Sequence, residues 1–288
     1  MTASNTTVTG KTCMITGASS GIGRATALEL ARMGARLVLV CRDRTRGEEA
    51  VMAIRRQTGN DAIALMLADL SSQRSIRQLA AEFLSTSQSL HVLVNNAGVV
   101  NIKRTLTADG IETVFAVNHL AYFLLTHLLL DRLKSSAPAR IVNVASDAHK
   151  FGQLNFDDLQ GERSYRVMGI YGQSKLANIL FTYELARRLA GTQVTVNCLH
   201  PGAVATGLGK NNGTWAQVVI AMLSPFFRTP AAGAATSIYL ASSPDVEGVS
   251  GRYFNNCRET RSSKASYDDA AARRLWKISA QMTGVAAE

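Results

Sequence analysis

No tract of this 288-residue chain is rich in proline, glycine or serine, and no segment repeats. Without a linker to divide it, the length reads as one domain over 1–288 with a substantial core. No basic stretch followed by an apolar run stands near the start. The opening "MTASNTTVTGK" therefore speaks against a secretory signal, and residues 1–10 read as a flexible tail. The most apolar run, "VFAVNHLAYFLLTHLLL" from Val114, is broken by Asn118, His119 and His127. A membrane span needs about 20 nearly unbroken apolar residues, so a buried or amphipathic helix is expected instead. Cysteine is sparse: Cys13, Cys41, Cys198 and Cys257 lack metal-ligand spacing. Three of them fall in apolar, strand-like segments, where a reduced buried thiol is the ordinary state. A reducing cytoplasm is the expected compartment. The five histidines are equally dispersed, and no metal is expected.

Charge of one sign is in excess, at a formal +10. Such a balance can serve nucleic acid or an acidic membrane surface. Here the basic residues are spread out, apart from "CRDRTR" at 41–46, and no aromatics interleave with them. No recognised binding motif accompanies the charge, so nucleic acid is not the expected partner.

What the chain does have is alternation. Short β-branched runs at 12–16, 36–41, 62–68, 91–95, 140–145, 193–199 and 251–254 are separated by helical patterns. That order predicts an α/β fold, a Rossmann-type doubly wound parallel sheet of about seven strands with helices on both faces. Long helices are expected over about 109–134 and 169–189, and a C-terminal one over 267–282. Ligands in such sheets bind beyond the C-terminal strand ends.

One of those ends carries "TGASSGIG" at 16–23. Gly17, Gly21 and Gly23 let the backbone turn sharply and approach a phosphate. The helix that begins near Ile22 offers free N–H groups, and Ser19 and Ser20 can add hydroxyl donors. The spacing is G-x-x-x-G-x-G and not the usual G-x-G-x-x-G. At the next strand end an acidic residue would bond ribose hydroxyls and repel a 2′-phosphate. Cys41 and Arg42 stand there instead, with Arg24, Arg44 and Arg46 near. Arg42 presents a planar fork suited to phosphate oxygens, so NADP(H) is the expected cofactor. Asp43 is expected to point away.

Tyr171 and Lys175 lie four apart on one expected helix, so they share a face. A tyrosine hydroxyl titrates near 10, and a neighbouring ammonium lowers that value. Poised in this way it can protonate a carbonyl oxygen as hydride arrives, or take the proton back. Ser146 directly follows a strand, where its hydroxyl can hold the substrate oxygen.

"TGASSGIG", "NNAG" (95–98), "VNH" (117–119), "YGQSK" (171–175) and "HPG" (200–202) together resemble the short-chain dehydrogenase/reductase family. "CRD", "SKLAN" and "RLWKIS" resemble its retinol-dehydrogenase-like branch. The resemblance implies that Asp69, with Leu70, meets the adenine amino group. It implies that Asn96, Ala97 and Gly98 line the adenosine ribose and that Pro201, Gly202 and Thr206 lie beside the nicotinamide. Ser146, Tyr171 and Lys175 become the catalytic set, with Lys175 also on the nicotinamide ribose. Asn118 is placed at a helix kink holding a proton-relay water. Ser146 lies 25 residues before Tyr171, a long gap that the branch carries as an insertion.

The activity so implied is interconversion of a carbonyl and an alcohol on a fairly large apolar substrate. Homodimers or homotetramers built on the two long helices are common in the family. Residues 203–232 open with "AVATGLGKNNGT" and then place Trp215, Val218, Val219 and Met222 at helical spacing, which suits a mobile substrate lid. Alternatives are a dinucleotide-sensing regulator, which would need no proton donor, and a protochlorophyllide-reductase-like enzyme.

Overall fold

A strand whose two faces are both apolar belongs in the middle of a sheet covered on both sides. β1 (Thr12–Thr16) is such a strand, buried at all five positions. In the computed structural model, which describes residues 8–86, 89–204 and 228–287, it lies near the centre of an eight-stranded sheet. The order is β3 (Ile63–Leu67), β2 (Arg36–Cys41), β1, β4 (Val92–Asn95), β5 (Ala139–Val144), β6 (Val194–His200), β7 (Tyr253–Asn255) and β8 (Arg258–Glu259). Seven strands run parallel; β8 turns back against β7. The expected count of about seven falls one short, because two exposed residues carry no apolar signature.

Side chains of one strand alternate between two cores. Cys13 and Ile15 face a cluster with Ala27 and Leu30 of α1 (Gly21–Arg32), Val51 of α2 (Arg44–Thr58) and Leu240 of α6 (Pro230–Ser242). Met14 faces the opposite cluster. That side holds α3 (Gln73–Ser85), the long helix α4 (Thr113–Ser135), α5 (Val167–Arg188) and α7 (Asp269–Thr283). α6 is a helix that periodicity did not signal. Its run of alanines gives no apolar stripe, and Thr229 caps its start by accepting from Ala232 N–H.

α4 is long and apolar enough to cross a membrane by composition, yet most of its apolar stretch is buried inside this body. α7 covers part of that surface. Trp276 stands edge-on to Phe123 with ring centroids 4.9 Å apart and stacks on Phe181 at 5.9 Å. Arg188 lies 4.2 Å above the indole, and the indole N–H donates to Ala287 O. α3 holds the other end through Gln73, which donates to Met282 O. The two long helices expected to form a subunit interface are thus roofed in this region by the chain's own C-terminal helix. At the N-terminus, Val8 is buried, while the exposed Thr9 and Gly10 are tied down by hydrogen bonds to Met33 O and Gly34 O; residues 1–7 of the expected tail lie outside the described residues.

Candidate active site

Strand order reverses between β1 and β4, and the crevice beyond that point is where such sheets take ligands. A cleft of about 1220 Å³ opens there. Its first wall is the turn after β1. Gly17 has φ +67°, a conformation that strains any side chain. A Cβ on Gly23 would stand 2.5 Å from both Asn96 Nδ2 and Gly17 O, so only glycine lets α1 begin this close to the turn. Ser20 caps α1 from an extended conformation without a side-chain bond to the helix amides. Those amides retain capacity for an anion, at the positive end of the helix dipole. Ser19, Ser20, Gly21 and Ile22 line the cleft with Gly17, whereas Gly23 lies behind them.

"NNAG" is stitched to this turn. Thr16 Oγ1 accepts from Asn96 N–H at 2.9 Å and Ala97 N–H at 3.1 Å, while Asn96 Nδ2 donates to Thr16 O at 2.8 Å. Asn95 instead joins a buried amide ladder, donating to Asn143 Oδ1 at 2.9 Å and Thr126 Oγ1 at 3.0 Å. Asn96, Ala97 and Gly98 line the cleft.

At the end of β2, burial pushes the Cys41 thiol up to about 11, so no negative charge sits there. Arg42 is exposed and lines the cleft with Arg46; Arg24 does not. Asp43 lines it too, but its carboxylate is engaged at the start of α2, accepting from Arg46 N–H at 2.8 Å. Asp69 and Leu70 complete this end. The Asp69 carboxylate accepts from Ser71 N–H at 2.9 Å and Ser71 Oγ at 2.8 Å, which leaves an oxygen for another donor.

The opposite wall carries Ser146, Tyr171 and Lys175. Ser146 follows β5, and its Oγ accepts from Ala148 N–H at 3.2 Å, while its side chain lies close enough to the Tyr171 hydroxyl to favour the phenolate. The 25-residue separation is closed by backbone contact. A Cβ on Gly172 would lie 2.6 Å from Ala148 O, and one on Gly152 2.3 Å from Gly172 C and O. Two glycines therefore let the segment after Ser146 lie directly on α5. Gln173 ties down the rest of the insertion, accepting from Asn155 N–H at 3.2 Å and donating to Leu159 O at 2.8 Å.

Lys175 is buried and donates from Nζ to Val144 O at 3.0 Å. The ammonium stands 5.7 Å from the Tyr171 ring centre and 5.8 Å from that of Tyr122. Burial pushes Lys175 down to about 7 and Tyr171 up to about 12, the latter opposed by the nearby Ser146 hydroxyl. Burial opposes the expected lowering of Tyr171 by its lysine. Both groups lose solvation together, and an amine near neutrality offers little field to a phenolate.

Asn118 lies behind the cleft in a π-helical turn, Ala116–Leu120, inside α4. Its Oδ1 accepts from Val99 N–H at 2.8 Å, and its Nδ2 donates to Val99 O and Ser174 Oγ, each at 3.0 Å. Both amide hydrogens are spent, so the side chain clamps the loop after β4; acceptor capacity remains on Oδ1. Ser174 donates onward to Tyr171 O at 2.7 Å. Tyr122, also missed by motif reading, donates to Ala97 O at 2.9 Å. A serine inside "YGQSK" was the available signal for the first; the second carried none.

Further out the lining turns apolar, with Val99, Val117, Ile102 and Met168, the last two well exposed. Pro201 and Gly202 line the floor. Thr206 and most of the expected lid lie outside the described residues. Among the described residues no cluster of three or more His, Cys, Asp or Glu could hold a metal ion.

The family described as short chain dehydrogenase matches residues 11–217. Retinol dehydrogenase 14 of Mus musculus is 52% identical over 289 residues, covering 96% of this chain and 86% of that protein. Human retinol dehydrogenase 12 is 46% identical over 281 residues, covering 98% and 89%. Among solved structures, a putative uncharacterized protein from Mycobacterium paratuberculosis superposes with a TM-score of 0.78 at 32% identity, covering 100% of this chain and 99% of that one. The NADP active-site complex of Pseudomonas aeruginosa RhlG gives 0.67 at 27% identity, covering 85% and 94%.

Proposed function

Because the chain belongs to the short-chain dehydrogenase/reductase family, in its retinol-dehydrogenase-like branch, we propose that it is an NADP(H)-dependent oxidoreductase interconverting a carbonyl and an alcohol on a large apolar substrate. One observation carries the reading: Ser146, Tyr171 and Lys175 form one wall of the cleft whose other wall is the glycine turn and Arg42. A sensor of dinucleotide would need the second wall and not the first.

The residues fit the cofactor. Gly17 and Gly21 would admit the pyrophosphate to the start of α1, with Ser20 as a further donor. Arg42 would take the 2′-phosphate, Asp69 the adenine amino group, and Asn96, Ala97 and Gly98 the adenosine ribose. Pro201, Gly202 and Thr206 are assigned to the nicotinamide end. When bound, the dinucleotide supplies or takes up the hydride. Tyr171 gives its hydroxyl proton to the carbonyl oxygen during reduction and recovers it from the alcohol during oxidation. Ser146, beside that hydroxyl in the cleft wall, holds the same oxygen in place. Lys175 would bond the ribose and, when protonated, favour the phenolate. Asn118 holds the loop behind it, and its Oδ1 could accept from a relay water.

Retinol, the alcohol in the names of the curated relatives, is long and apolar, and Val99, Ile102 and Met168 suit a substrate of that kind. The buried, unpaired Cys13, Cys41 and Cys198 suit a reducing compartment such as the cytoplasm. The deciding experiment follows NADPH absorbance across a panel of apolar and polar ketones and aldehydes, with NADH in parallel. Turnover of apolar carbonyls with NADPH is expected. Dinucleotide binding without turnover of any carbonyl or alcohol would leave the regulator reading in its place, and a preference for NADH would overturn the cofactor assignment.

A further inference from the structure

The peptide unit joining Ser146 to Asp147 is gripped on both edges by imidazoles. Its carbonyl lies 2.6 Å from His149 Nδ1, and its N–H donates to His200 Nδ1 at 3.1 Å. A carbonyl can only accept, so His149 carries its proton on Nδ1. Its Nε2 accepts from Ser263 N–H at 3.0 Å, in the segment that precedes α7. His200 must be the opposite tautomer, with Nδ1 bare and Nε2–H turned toward the Asp147 carboxylate at 3.9 Å. That carboxylate is itself held by Tyr253, whose hydroxyl donates at 2.9 Å, and by Lys150 at 3.1 Å. His149 is fully buried, with the Tyr253 ring edge-on at 5.1 Å. Burial lowers the pKa of both histidines, which keeps them in the neutral forms this pattern needs.

We propose that His149 and His200 are positioning residues that lock the Ser146–Asp147 peptide plane and thereby aim the Ser146 hydroxyl at the substrate oxygen. The proposal rests on the catalytic reading of Ser146 given above. The Ser146 carbonyl also accepts from the His149 backbone N–H at 3.1 Å; the two imidazoles limit the motion this leaves, and a displacement of about 1 Å at a reacting group can cost on the order of a hundredfold in rate. His149 also makes the setting of Ser146 depend on the segment around Ser263, far away in sequence.

The test is a double-mutant cycle on the whole chain, with NADPH and a carbonyl that the wild type reduces. His149→Gln keeps a group able to reach Ser263 but withdraws the side-chain donor from Ser146, leaving only the backbone N–H. It should lower kcat at least tenfold with NADPH affinity unchanged. His149→Asn places an amide N–H where Nδ1 stood and should recover most of the loss. In a Ser146→Ala background, His149→Gln should cost nothing further, because the group it aims is gone. An equal loss in that background would mean a merely structural role and would overturn the proposal. Full activity of Ser146→Ala alone would instead remove the catalytic reading, and the proposal with it. Histidine side-chain nitrogen NMR on the wild type is independent of how the variants fold. It should show His149 protonated on Nδ1 and His200 on Nε2; the reverse pattern would refute the clamp.

Discussion

The two walls of the cleft are built from different materials. The nucleotide wall is backbone and solvated charge: a glycine turn, the unspent amides of a helix start, and the exposed Arg42 and Arg46. Each part comes from a few consecutive residues. The catalytic wall is buried chemistry, with Lys175 and Tyr171 driven in opposite directions by the same loss of water. Its parts come from β5, the inserted segment and α5, and they meet only in the folded chain. On the proposed function, cofactor choice would belong to local turns and reactivity to burial.

If the walls are separable in this way, a change to one should leave the other standing. Tyr171→Phe removes only the hydroxyl. It should cut turnover by at least about a hundredfold, the usual scale for lost general acid–base catalysis, while NADPH titration stays near wild type. Weaker NADPH binding of similar size would show that the walls are not separable. The converse change pairs Cys41→Asp with Arg42→Leu. NADPH affinity should fall about thirtyfold relative to NADH, about 2 kcal/mol for a charge-assisted phosphate contact, with kcat on NADH little altered. Unchanged discrimination would remove Arg42 from the assignment.

Gly23→Ala probes the nucleotide wall by sterics alone. Its methyl must displace Asn96 or the Gly17 carbonyl, and overpacking of this kind costs roughly 1–3 kcal/mol. The melting temperature should drop, and NADPH should restore part of the loss by binding the native state. Wild-type stability would mean that the turn yields more easily than its contacts imply.

The smallest effect concerns the buried amine. Lys175 is shifted down from 10.5 to about 7. The unfolded chain keeps that proton up to the higher value, so the folded protein binds fewer protons between the two. Stability should accordingly rise between pH 7 and 8, by at most about 1.4 kcal/mol. Nearer 9 the buried thiols Cys13, Cys41 and Cys198, raised to about 12, 11 and 12, act in the opposite sense. Lys175→Met should flatten the rise in thermal melts at pH 7 and 8. A rise of the same slope in that variant would place its origin elsewhere.

Short-range pattern was enough for much of this protein. Alternating apolar runs betrayed seven strands, because a strand buried on both faces must be apolar throughout. The glycine turn and the Tyr171–Lys175 spacing are local geometry, and local geometry is written in consecutive residues. Hidden instead were features that depend on what lies across the fold. α6 has no stripe to read, since small residues pack it on α1. α7 was foreseen as a helix, but not as the roof over α4 and α5 that Trp276 makes it. The apposition of Gly152 on Gly172, the bond from Asp147 to His200 and the bond from Ser263 to His149 join residues 20 to 114 positions apart. The direction in which Lys175 titrates was likewise beyond reach. Motif spacing names the groups that could react, but desolvation depends on every atom packed around them, and only tertiary structure supplies those atoms.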